Sequence, residues 1–226
     1  MKKILIVHNN YQNIGGEDVA VKNEISLLKK YYDIDTLFFS NNIKNYITQS
    51  LFFLLNKNKK SMKDLNIKID KFKPDYVYVH NTWFNGSIGV FKVLQQKNIK
   101  TIVKLHNFRY FCTKSFRIKI HLGANKFCGA CGLEKKPFSL FNKYFQNSFL
   151  KSFLVLRYGK QYFNILKKGK FNIFVLTNFH KKFLENLGFS SERINIIPNY
   201  IELPNQKSVS YDENYILYAG RISKEK

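Results

Sequence analysis

The sequence predicts an α/β protein built on a doubly wound parallel sheet, and three observations carry that expectation. Ile4-Leu5-Ile6-Val7 is an unbroken β-branched and leucine run, as in strands buried on both faces of a parallel sheet. Similar short apolar runs recur between stretches of helical periodicity, and polar residues collect where each run ends. Such alternation implies right-handed crossovers and a ligand crevice outside the C-terminal ends of the strands.

The first strand leads into a turn over 9–18, where Gly15-Gly16-Glu17-Asp18 opens a helix. The glycine pair has two readings. With positive φ, Gly15 and Gly16 would let backbone N–H groups approach a phosphate at the positive end of the helix; otherwise they simply make a tight turn. No third glycine follows at the offset of the dinucleotide fingerprint. The helix starts at Glu17, whose carboxylate suits the positive helix end, and carries Val21, Ile25, Leu28 and Tyr32 on one face. A strand over 34–39 follows, then a polar and aromatic stretch with a lysine run at 57–60, expected as one or two surface helices. Pro74-Asp75 introduces a strand over 76–79 that ends in His80-Asn81-Thr82-Trp83.

The spacing of Ile88, Phe91 and Leu94 predicts a helix over 86–97, and 101–105 reads as a buried strand ending in His106-Asn107. Gly15, His80 and His106 should therefore share one rim, with Glu17, Asn107, Arg109 and Asn199 as its further polar residues. Residues 107–137 break the rhythm, hold every cysteine, and read as an insertion. A long helix is expected from Phe138, with Phe141, Phe145, Phe149, Phe153 and Leu156 as a core stripe. Strands over 172–176 and 194–197 flank a helix over 179–187. Pro198 and Pro204 bracket a linker, and 215–219 is a last strand.

At 226 residues, 45% of them apolar, the chain is one large domain or a domain and part of another, with enough apolar side chain for a real core. The net charge of +23 has two readings. One is an anionic partner such as lipid, nucleic acid or a diphosphate; the other is AT-rich coding DNA, since Lys, Asn, Ile, Phe and Tyr are abundant together. Cys112, Cys128 and Cys131 are too few for a secreted disulfide framework, which favours a reducing cytoplasm. Reduced structural thiols are the favoured reading, and a zinc site with His106 or His121 as a fourth ligand is the alternative that their spacing allows. The apolar run before His8 is too short for a signal peptide, and the clusters at 51–55 and 153–156 fall short of the ~20 residues that span a membrane. The expected location is cytoplasmic, free or peripheral on the inner face of the cell membrane.

Four segments in order carry a resemblance: Gly15-Gly16-Glu17 after the first strand, Leu105-His106-Asn107-Phe108-Arg109, Ile197-Pro198-Asn199-Tyr200-Ile201-Glu202, and Tyr218-Ala219-Gly220-Arg221-Ile222-Ser223-Lys224-Glu225-Lys226. Together they resemble a family 4 glycosyltransferase. The resemblance implies the GT-B fold, two Rossmann-like domains facing across a cleft, with acceptor bound mainly by the first and nucleotide sugar by the second. It implies a retaining hexosyl transfer from a nucleotide diphosphate sugar to a glycan or lipid-linked acceptor of cell-envelope polysaccharide synthesis, with no metal and no cofactor. On this reading residues 1–200 are the acceptor-side domain, and 201–226 are a linker and the first strand of a truncated donor domain.

The resemblance also assigns roles. Gly15 and Gly16 look like the loop facing the donor diphosphate, His106 like the histidine that reaches the transferred sugar, and Arg221 and Lys226 like the pair that neutralises the departing diphosphate. A strand-end histidine satisfied locally is the other reading of His106. There are departures from the family. Tyr200 stands where glycine is usual, Glu202 where aspartate is commoner, and the Glu-x7-Glu pair of the second domain has no counterpart, so the chain alone is expected to be inactive. Two other function classes compete, a basic nucleic-acid module and a non-catalytic scaffold. The basic residues are spread rather than striped and no RNA-binding aromatic signature or helix-turn-helix is present, so a nucleic-acid partner is not expected.

Overall fold

The computed structural model describes residues 1–11, 14–41, 52, 54–110 and 148–202. In order these form β1 (Lys3–Asn10), α1 (Gly16–Leu28), β2 (Asp33–Ser40), α2 (Lys59–Phe72), β3 (Tyr76–Val79), α3 (Gly89–Gln96), β4 (Lys100–Leu105), α4 (Phe149–Lys168), β5 (Asn172–Val175), α5 (Asn178–Asn186), a 3-10 turn (Ser191–Arg193) and β6 (Ile194–Ile196). The six strands pair in parallel in the order β2-β1-β3-β4-β5-β6. Chain direction reverses its progress across the sheet between β1 and β3, and this is the switch point at which doubly wound sheets hold ligands. The protein is thus a Rossmann-like α/β fold.

The two faces follow from strand alternation. Leu5, Val7, Val77, Val79, Val103 and Leu105 point to one face. There Leu65 and Ile69 of α2, Phe91 and Leu94 of α3, Tyr158, Tyr162 and Leu166 of α4, and Phe183 and Leu184 of α5 bury them. Ile4, Ile6 and Tyr78 point the other way, under Val21 and Ile25 of α1. Ile4 through Val7 are all buried, as a doubly covered strand requires.

Several helices depart from their expected limits. Helix α1 stops at Leu28, and Tyr32 lies beyond it in the turn that leads to β2, its N–H donating to Leu28 O at 2.9 Å. Helix α3 starts three residues late because Ser87 has φ of 60°, which a right-handed helix cannot accommodate. In α4 the expected aromatic stripe is misphased. Phe149 and Phe153 are exposed, while Ser152, Val155, Gly159, Tyr162 and Leu166, spaced three and four apart, form the buried face with Leu156 and Tyr158 beside it. Small Ser152 and Gly159 thus lie on the buried side of the helix and two phenylalanines on the exposed side. Phe138, Phe141, Phe145 and the strand expected at 215–219 lie outside the described residues.

Candidate active site

Alternation also decides which side chains crown the sheet. Ile6, Tyr78 and Ile102 stand side by side in register on the α1 face. Two residues on, the same face carries His8, His80 and Lys104, and then His106. Polar groups therefore gather at the C-terminal strand ends, where Glu17, His80, Asn81, Thr82, Trp83, Lys104, His106, Asn107, Arg109, Tyr158 and Tyr162 line a cavity. Of the expected rim of Gly15, His80 and His106, the two histidines meet, with His80 Nδ1 and His106 Nε2 2.9 Å apart, whereas Gly15 does not line the cavity.

Beneath the rim lies a buried ionic network. Lys104, fully buried, donates to the carboxylate of Glu24, which α1 lowers onto the sheet. The same carboxylate accepts from Tyr78 Oη at 2.9 Å and lies 3.8 Å from His80 Nε2. Lys104 Nζ reaches Pro198 O at 3.3 Å, tying the segment after β6 to the network. Burial holds His80 well below the ordinary imidazole value and His106 at about 3, so both rings are neutral at neutral pH.

A second cluster forms the wall above. Tyr11 Oη donates to Glu17 Oε2 at 2.9 Å, and Asn107 Nδ2 to the same oxygen at 3.3 Å. Arg109 lies 4.9 Å over the Trp83 ring and 5.8 Å from that of Tyr11. Burial raises the Glu17 carboxyl to about 7 despite these donors and Arg109. Trp83 packs edge-on to Tyr158 at 4.6 Å, and Tyr158 shares a hydrogen bond with Thr82 at 3.2 Å. The wall offers a carboxyl, a guanidinium, an amide and an aromatic ring within one side-chain reach, which suits a polar, hydroxyl-rich ligand.

The glycine turn needs no left-handed backbone at either glycine. Gly15 is extended, with φ of −116° and ψ of 173°, and neither glycine takes positive φ. Asp18 shapes the turn instead: its carboxylate accepts from Gly15 N at 2.7 Å and from Tyr11 N at 3.4 Å, and His8 Nε2 donates to it at 2.9 Å. A Cβ on Gly16 would meet nothing within 4 Å, so open space lies beside that residue. Asn199 is exposed. Arg221, Lys226, His121, Cys112, Cys128 and Cys131 lie outside the described residues. Among the described residues no group of three or more His, Cys, Asp or Glu is placed to hold a metal ion, and no helix is long and apolar enough to cross a membrane.

Sequence reasoning passed over His8, Asp18, Glu24, Lys104 and the α4 tyrosines. Two of these had a signal: Lys104 interrupts an apolar strand, and Glu24 sits on the apolar stripe of α1 beside Val21, Ile25 and Leu28. A charge in each of two inward stripes points to a buried pair.

No family model and no curated protein matches the sequence. Among solved structures, the chain is similar to the UDP-GlcNAc 2-epimerase from Methanocaldococcus jannaschii, at 14% identity and a TM-score of 0.47, over 87% of this chain and 45% of that one. It is similar in the same measure to an S. aureus MnaA–UDP co-structure, at 14% identity and 0.47 over 87% and 44% of the two chains. The chain spans less than half the length of either.

Proposed function

We propose that this chain carries the acceptor side of a glycosyltransferase, in which a hexose passes from a nucleotide diphosphate sugar to a glycan or lipid-linked acceptor of the cell envelope. The observation that supports it is the convergence of Glu17, His106, Asn107 and Arg109, drawn from two of the segments that carry the family resemblance, on one cavity at the strand ends. Residues 1–200 form the acceptor-side unit on this reading. His106 stands at the transferred sugar, and Glu17, Asn107 and Arg109 grip acceptor hydroxyls. Gly15 N–H is engaged by Asp18, so a donor diphosphate would meet the open side of Gly16, with Arg221 and Lys226 as its counter-charges. The excess of basic side chains suits work at an anionic inner-membrane surface, where each contributes on the order of 1 kcal/mol.

The test is transfer of labelled hexose from UDP- and GDP-hexoses to lipid-linked acceptors in membranes, with and without the purified chain, joined to titration of the chain with disaccharides while the Trp83 indole is observed. Saturable disaccharide binding at Trp83, without transfer by the chain alone, is the expected result. No saturable saccharide binding, or transfer by the chain alone that is indifferent to His106→Ala, would overturn the proposal.

A further inference from the structure

The two neutral imidazoles at the cavity floor are not free to choose their tautomers. His80 Nε2, buried and without a hydrogen-bond partner among the described residues, faces the Glu24 Oε2 charge at 3.8 Å, in a pocket closed by Tyr78, whose ring lies 4.3 Å away, with His8 and Lys104 beside it. Only an N–H is attracted to a carboxylate, while a lone pair there would be repelled. The proton of His80 therefore belongs on Nε2, which leaves Nδ1 as an acceptor. His106 Nε2, 2.9 Å away, must then be the donor. His106 Nδ1 is left with its lone pair, buried and without a hydrogen-bond partner among the described residues.

We infer that Glu24 and His80 act as positioning residues that hold the His106 proton on Nε2, so that Nδ1 offers the cavity a hydrogen-bond acceptor for a ligand hydroxyl. The opposite tautomer would present an N–H and welcome a phosphate or carboxylate oxygen; this one repels both. Lys104 keeps the device standing by balancing the Glu24 charge. Arg109 Nη1, also buried and unpartnered among the described residues, supplies a donor to the same cavity. A sugar, whose hydroxyls both donate and accept, matches one fixed acceptor and one fixed donor. The identity of the ligand rests on the proposed function, whereas the tautomer does not.

The test is long-range ¹H–¹⁵N NMR of the histidine rings in the full chain at pH 7. Pyrrole-type Nε2 and pyridine-type Nδ1 on both His80 and His106 are expected; a pyrrole-type Nδ1 on His106, or a protonated ring, overturns the inference. The charge-balanced variant Glu24→Gln with Lys104→Met removes the polarity of the chain of donors and should populate the second His106 tautomer, and an unchanged tautomer in a folded variant overturns the role of Glu24. Titration with methyl α-D-glucopyranoside should shift the His106 Nδ1 resonance, and inorganic sulfate, which has no hydrogen-bond donor, should leave it in place. The expected tautomer with no response to the sugar would overturn the hydroxyl assignment and the glycosyl-transfer reading while leaving the relay intact.

Discussion

At the scale of single residues, the buried charges make the sharpest predictions. Lys104→Met leaves Glu24 buried beside a methyl group and should cost about 3–5 kcal/mol, read as a lower urea midpoint; adding Glu24→Gln should restore most of it, because the loss comes from an uncompensated ion and not from the missing pair. Acid should unfold the protein early. Burial keeps His8, His80, His106 and His180 below the imidazole value of 6.5, with His106 at about 3 and His180 at about 4. The unfolded chain takes up these protons below pH 6.5 and the folded chain does not, so each histidine removes up to about 1.4 kcal/mol of stability per pH unit until its folded value is reached. Glu17 opposes them: its folded carboxyl titrates at about 7, above the ordinary 4.5, so its burial is unfavourable above pH 7 and relieved by acid. Four groups against one set the sign. Urea midpoints should fall steadily from pH 7 to pH 5, and a midpoint that rises would show that carboxyl groups dominate.

At the scale of elements, helix α2 shows how a start is fixed. Asn58 accepts from Lys60 N at 3.0 Å and Ser61 N at 3.2 Å, and its Nδ2 donates to Asn85 O at 2.9 Å, binding the helix to the turn after β3. Asn58→Ala should cost about 2 kcal/mol, at the upper end for a cap, whereas Ser148→Ala at the start of α4, where the capping bond to Lys151 N is exposed and 3.4 Å long, should cost well under 1 kcal/mol. Thermal melts of the two variants compare them directly. Strands were the more legible elements: short apolar runs located all six described strands, although β1 runs on to Asn10, three residues past Val7. Helix phases were less so: in α4 the burial of Ser152 and Gly159 depends on how closely another layer approaches, which no local pattern of hydrophobicity encodes. The candidate site was legible to the same degree. His80 and His106 follow from their place at strand ends, and His8 obeys the same rule. The partnership of Glu24 with Lys104 needs the register of three strands and the helix above them.

At the scale of the whole molecule, the fold keeps its chemistry at one end by a simple arrangement. Parallel strands place every C-terminus on one edge, and the switch between β1 and β3 opens the crevice where α1 can lower Glu24 among the histidines while α4 brings Tyr158 and Tyr162 from the opposite face. That same order gives β1 a vulnerable youth on the ribosome. Its neighbour β2 emerges soon after it, but β3, which must cover its other edge, has yet to be translated. At about 5–20 residues per second the stretch from Ser40 to Val79 takes about 2–8 s. For those seconds Ile4-Leu5-Ile6-Val7 offers an open, apolar strand edge to whatever nascent chain or chaperone is nearby, so a strand buried on both faces in the finished protein stands uncovered while it is being made.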